Sequence, residues 1–180
     1  IKNQFKTFYS GFDKQLFEAL LHDSDNLIAE SLLLMVSNYF KNDLDNKKTI
    51  NDFILVNFPG LKNKPIWHDG SGLSRYNMLT TTSIIHVLKK IHDKIGLKKI
   101  MIYFPEIKAD LKKPSIFDQE NKFKVFAKTG TLSNNHSLSG YIFKGEKLIL
   151  FSFMVNHHNR SLMDIKKAVG KIIKKVLERI

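Results

Sequence analysis

The 180-residue sequence contains no cysteine. That excludes disulfides and metal sites built on thiolates. No apolar run approaches the roughly 20 residues that a membrane-spanning helix needs. The longest, Leu32–Val36 and Leu148–Val155, are of a size for a core. Only Arg75, Arg160 and Arg179 supply guanidinium groups, and the net charge of +12 rests on lysines spread along the chain. The aromatic residues, mostly Phe, sit in apolar patterns and are not interleaved with Arg as a base-stacking platform requires. The charge therefore reads as a solvated surface, and no nucleic-acid partner is expected. Histidines are poorly spaced for a metal: His157 and His158 are adjacent, and His86 and His92, six apart, share no helix face. No metal or cofactor is expected. The first residue is Ile1, with no secretory signal after it, so the expectation is a mature piece or fragment whose address signal lies elsewhere.

What is present patterns as α+β. Ser10 to His22 has helical spacing, with Ser10 and Asp13 at capping-box distance and Phe12, Leu16, Leu20 and Leu21 on one face. Asp23-Ser24-Asp25-Asn26 interrupts it. Leu27 to Phe40 follows as a helix apolar all round, hence expected to be central and buried. Lys41 to Lys48 reads as a polar loop, Thr49 to Phe58 as a short helix or turn, and Gly60 to Pro65 as a connector. Thr82 or Ser83 is expected to cap a helix carrying Ile84, Ile85, Leu88, Ile91 and Ile95. Met101 to Asn121, with Pro105 and Pro114, reads as an irregular loop of the kind that borders a site. After it come a strand from Phe123, a turn at Ser133–His136, strands at Ser139–Phe143 and Leu148–Val155 joined through Lys144–Lys147, a turn at Asn156–Asn159, and a helix from Ser161 to Glu178.

Three stretches carry chemistry. In Phe123–Thr131, Phe123, Val125 and Ala127 alternate with Lys124, Phe126 and Lys128, and Gly130 removes a side chain where a ligand backbone could lie. Lys128 adds a fixed charge, and Thr129 and Thr131 add hydroxyls. Such an edge suits an extended peptide ending in a carboxylate. Ser24 and Asn26 sit in a tight helix–helix junction. Asp69-Gly70-Ser71-Gly72-Leu73-Ser74-Arg75 is a sharp turn, without the Gly-x-Ser-x-Gly spacing of a nucleophile elbow.

Taken together, Ser24-Asp25-Asn26-Leu27 with Ala29-Glu30, Asp69 to Arg75 with Asn77, and Lys128-Thr129-Gly130-Thr131-Leu132 with Gly140-Tyr141 resemble one family, from about Ser10 to the end. It is the D-alanyl-D-alanine carboxypeptidase/endopeptidase group of low-molecular-mass class C penicillin-binding proteins. The resemblance implies an antiparallel sheet flanked by helices, of the penicillin-binding-protein and beta-lactamase kind. It also implies that residues 1–180 are the C-terminal part of the transpeptidase-like domain. Ser24 would relay a proton to the leaving D-alanine, Asn26 would bond the substrate's amide, and Lys128 would set the electrostatics around Ser24 and attract the terminal carboxylate. Thr129 and Thr131 would bond that carboxylate, and the Thr131 N–H would donate to the oxyanion. Asp69, Ser71 and Arg75 are expected as scaffold near the site. One departure is plain: no Ser in the sequence has a Lys three residues later, so the family's nucleophile motif is absent. The expectation is an inactive part of a periplasmic enzyme acting on peptidoglycan stem peptides and acylated by beta-lactams, with strands and a nucleophile helix supplied by a missing N-terminal half. Exposed apolar surface is then expected. The competing expectation is a non-catalytic module that binds cell-wall polymer.

Overall fold

The computed structural model describes residues 14–41, 44–107 and 123–179. Eight elements follow one another: α1 Lys14–Leu21, α2 Asn26–Lys41, α3 Asn46–Asn57, α4 Thr81–Tyr103, β1 Phe123–Leu132, β2 Asn135–Lys144, β3 Lys147–Asn156 and α5 Leu162–Leu177. The α+β expectation holds: the strands form one antiparallel sheet in the order β1-β2-β3, with helices on both faces.

Strand alternation divides the sheet's side chains between two cores. Val125, Ala127, Leu138, Ile142 and Phe151 pack under Ile165, Val169, Ile173 and Leu177 of α5. Phe126 and Tyr141 meet Leu88 and Ile100 of α4, together with Phe104, on the opposite face. Tyr141 is fully enclosed, and its hydroxyl donates to the Leu88 carbonyl at 2.8 Å. Burial pushes that phenol's pKa up. Gly140, beside it, is needed for close approach: a Cβ there would lie 2.2 Å from the Phe126 carbonyl oxygen. A smaller core of Leu33, Ile50 and Ile54 joins α2 to α3, where the Thr49 hydroxyl donates to Ser37 Oγ at 2.9 Å.

Several boundaries differ from expectation. Strand β1 carries Lys128-Thr129-Gly130-Thr131 and runs to Leu132, just short of the expected turn. The turn after it is confined to Ser133 and Asn134, the latter at φ 64°, so Asn135 and His136 belong to β2. Helix α3 starts earlier than Thr49, because Asp45 caps it by accepting from the Lys48 N–H. Helix α4 is capped by Thr80 and runs on to Tyr103 across a kink at Gly96. Residues Ser10, Phe12 and Asp13, and the stretch from 108 to 122 with Pro114, lie outside the described residues.

Helix α2 is the main correction. It is not a buried central helix: Met35 is 59% exposed, Tyr39 83% and Phe40 70%. Its buried residues are Leu33 and Ser37, one stripe four residues apart that meets α3. Helix α1 and the loop held by Glu30 also touch it, but no described element covers the face of Met35, Tyr39 and Phe40, and the expected exposed apolar surface is found there.

Candidate active site

The junction between α1 and α2 is held by Asp25. Its N–H donates to the Ala19 carbonyl at 3.0 Å, and its Oδ1 accepts from the Ile28 N–H at 2.9 Å, capping α2. Capping therefore falls to Asp25, and its neighbours are released from it. Ser24 adopts a left-handed conformation (φ 59°), unusual for a residue with a Cβ, and Asn26 opens α2 with an exposed side chain.

Across the molecule, β1 brings Lys128 to this corner. Lys128 Nζ donates to Ser24 Oγ, a contact spanning 104 positions of sequence, and to the Thr129 carbonyl at 3.0 Å. The lysine is half-buried, and burial lowers its pKa. An ammonium whose proton is more easily lost, bonded to a hydroxyl, is equipped to pass a proton along that pair.

The edge of β1 is partly covered. Pro105–Ile107 runs beside it: the Ala127 N–H donates to the Pro105 carbonyl at 3.0 Å, and the Ile107 N–H to the Val125 carbonyl at 2.8 Å. No strand among the described residues continues this cover past Ala127. Strand backbone groups repeat their direction every second residue, so those of Thr129 and Thr131 face the same open side as those of Ala127. Thr129, Gly130 and Thr131 are exposed. Their side chains alternate too: Thr129 and Thr131 lie on the α5 face and Lys128 on the α4 face, so the cleft edge is equipped from both sides. Gly130 is opposite Ser137, whose Oγ would lie 2.6 Å from a Cβ there. The Thr131 hydroxyl is 3.0 Å from Nδ1 of His136, its register partner.

The turn around Ser71 is closed at its base by reciprocal bonds of 2.8 Å between Ile66 and Met78. Asp69 organises the interior, accepting from the Gly72 N–H (2.8 Å), the Ser74 N–H (2.6 Å) and Asn77 Nδ2 (2.8 Å). Glu30 of α2 fastens the loop to the corner by accepting from the Gly70 N–H at 3.1 Å and the Ser71 N–H at 3.0 Å. A hydrogen bond from the Ser71 side chain, followed by those backbone bonds, outweighs burial and the nearby Asp69 charge and lowers the Glu30 pKa. Gly70 must be glycine here, since a Cβ would meet the Ala29 carbonyl oxygen at 2.5 Å. Asp69 and Ser71 thus sit one loop away from Ser24, through α2. Arg75 is exposed on that loop, and none of the loop's described hydrogen bonds uses it.

A glycine-pinned loop, a serine corner and a lysine-bearing strand edge, in that spatial relation, can be compared with known proteins. The model of the D-Ala-D-Ala carboxypeptidase 3 (S13) family matches residues 13–176. The chain belongs to the S13 family of D-Ala-D-Ala carboxypeptidases. It is 29% identical over 147 residues to the D-alanyl-D-alanine carboxypeptidase DacB of Haemophilus influenzae, covering 77% of this chain and 31% of that protein. It is 25% identical over 189 residues to the penicillin-sensitive carboxypeptidase A of Dictyostelium discoideum, covering 92% and 36%. The chain thus spans about a third of the length of these curated S13-like relatives. Penicillin binding protein 4 of H. influenzae superposes with a TM-score of 0.66 at 24% identity, over 88% of this chain and 39% of that one. A penicillin G-acylated predatory endopeptidase of Bdellovibrio bacteriovorus, in complex with an immunity protein, superposes with a TM-score of 0.65 at 20% identity, over 92% and 44%. At these identities the superpositions establish the shared fold.

Two residues of this S13 chain were not singled out for a role by sequence reasoning. Glu30 stood inside a matched motif, and its position four residues after Asn26 put it one helical turn from the corner. His136 sat in what read as a turn; the tightness of the Ser133–Asn134 connection hid it.

Proposed function

We infer that this S13 chain carries two walls of the substrate cleft of a serine-type D-Ala-D-Ala carboxypeptidase/endopeptidase that trims peptidoglycan peptides through an acyl-enzyme. The observation that supports this reading best is the bond between Lys128 Nζ and Ser24 Oγ. It joins two motifs far apart in sequence at the mouth of one open strand edge. In this reading the stem peptide, ending in D-Ala-D-Ala, lies along the open side of β1. Lys128 and Ser24 return a proton to the leaving D-alanine amine, and Asn26 bonds the peptide amide. Thr129 and Thr131 hold the carboxylate, Gly130 lets the backbone approach, and the Thr131 N–H donates to the oxyanion. Asp69, Ser71 and Arg75 belong to the supporting loop. No cofactor enters the reaction, and beta-lactams acylate the same site.

The nucleophile would come from a preceding part of the same protein, since none of these 180 residues forms Ser-x-x-Lys. The parent protein would be exported to the periplasm or cell envelope. No described helix is long and apolar enough to cross a membrane. A second reading, a module that holds anionic wall polymer without catalysis, would draw on the net charge of +12.

Fluorescent penicillin separates the two. Covalent label is expected on a longer protein that includes an upstream Ser-x-x-Lys and not on the 180-residue chain. In the longer protein Lys128→Ala slows labelling by about 100-fold or more, the range for removing a proton-transfer group. Stable labelling of the short chain, or unchanged labelling of Lys128→Ala, overturns the assignment.

A further inference from the structure

His136 is the one buried imidazole beside the cleft, 3% exposed, and the reaction as proposed gives it no task. It faces Thr131 directly across the β1–β2 ladder, with Nδ1 3.0 Å from Thr131 Oγ1. Its Nε2 is enclosed and has no hydrogen-bond partner among the described residues. These facts choose between two arrangements of protons. A neutral imidazole has one N–H and a threonine hydroxyl has one O–H. If the hydroxyl donates to Nδ1, the imidazole proton is on Nε2, a buried N–H with nothing to receive it. If the proton is on Nδ1, it is donated to Oγ1, and only a lone pair is left enclosed at Nε2. Buried donors without acceptors are the rarer defect. The second arrangement is therefore favoured.

The surroundings discourage a third state, the imidazolium. Burial first, then the charges of Lys166 on α5 and His158 after β3, lower the His136 pKa. The Nδ1 of His158 is 3.1 Å from the Arg160 carbonyl, which only accepts, so that nitrogen carries a proton directed away from His136.

We propose that His136 is a positioning residue for Thr131: its Nδ1–H donates to Thr131 Oγ1 and commits that hydroxyl's single proton outward, to the substrate's terminal carboxylate. The opposite tautomer would consume the hydroxyl proton and present lone pairs to an anion. The proposal rests on the carboxypeptidase reading, and its test keeps the two apart.

Long-range proton–nitrogen NMR of the 180-residue chain reports the tautomer directly. His136 is expected neutral and protonated on Nδ1; protonation on Nε2 overturns the proposal. In the longer enzyme, kcat/KM is compared for a tripeptide ending in D-Ala-D-Ala and for its C-terminal amide. His136→Phe leaves the Thr131 hydroxyl its proton but no longer aims it, and is expected to reduce the preference for the free carboxylate about 3- to 10-fold, less than the worth of one whole hydrogen bond to a charge, and mainly through KM. His136→Asn, whose amide N–H can replace Nδ1–H, restores most of it. A Thr131→Val enzyme that loses the preference while His136→Phe keeps it overturns the proposal alone. A Thr131→Val enzyme that keeps the preference overturns the carboxylate reading, and the proposal with it.

Discussion

The Glu30 clamp yields a prediction that needs no substrate. Its carboxylate accepts from the backbone N–H groups of Gly70 and Ser71, and the Ser71 side chain also bonds it. Hydrogen bonds to a charged group contribute about 1.5–3 kcal/mol each when buried, and less in a half-exposed site such as this. Glu30→Gln keeps one acceptor oxygen and turns an NH2 toward a backbone donor, so a loss of about 1–2 kcal/mol is expected, with about 2–3 kcal/mol for Glu30→Ala. With a urea slope of about 2 kcal/mol/M, the midpoint of Glu30→Gln falls by roughly 0.5–1 M. The single tryptophan, Trp67, reports on this loop, because its Nε1 donates to the Asp69 carbonyl. The pH dependence has a fixed sign. The folded carboxyl titrates below its ordinary value of 4.5, so below 4.5 the unfolded chain binds more protons than the folded one. The clamp's contribution is complete above 4.5 and is lost as pH falls through the folded value. The gap between wild type and Glu30→Gln should therefore close in acid. Equal urea midpoints near neutral pH, with an unchanged Trp67 spectrum, would refute the reasoning.

Two further outcomes follow from the cores. Tyr141→Phe removes the buried bond to the Leu88 carbonyl and is expected to lower stability by about 1–2 kcal/mol in urea unfolding, while leaving the far-UV spectrum intact. His136, whose folded pKa lies below 6.5, adds a second acid-sensitive window. Stability is full above 6.5 and declines as pH falls toward the folded value, and His136→Phe should flatten that part of the profile.

Local pattern made much of this fold legible, and packing hid the rest. The β2–β3 hairpin was readable because Gly145, at φ 59°, is the residue a two-residue turn needs. Helix α5 was readable because Ile165, Val169, Ile172, Ile173 and Val176 repeat at helical spacing, although Ile172 and Val176 prove to be half exposed. Helix α2 misled, since an all-round apolar sequence states what a helix needs and not what is present to meet it. The Ser24–Lys128 meeting is invisible to any periodicity; motif resemblance alone pointed to it. Glu30 and His136 escaped because their partners, Ser71 and Thr131, are set by a loop's docking and by strand register, neither of which spacing encodes.

The far side of the sheet carries a consequence for handling. Strand β3 pairs with β2, and among the described residues no strand takes its other side. From Leu148 to Val155 its apolar side chains turn to the two cores, so what that border offers is backbone N–H and C=O groups. A backbone border of this length, with no strand beside it among the described residues, is a template for one more strand, and a neighbouring molecule can supply it. Concentrated solutions of the chain by itself are expected to associate through this border, and dilution should keep it dispersed.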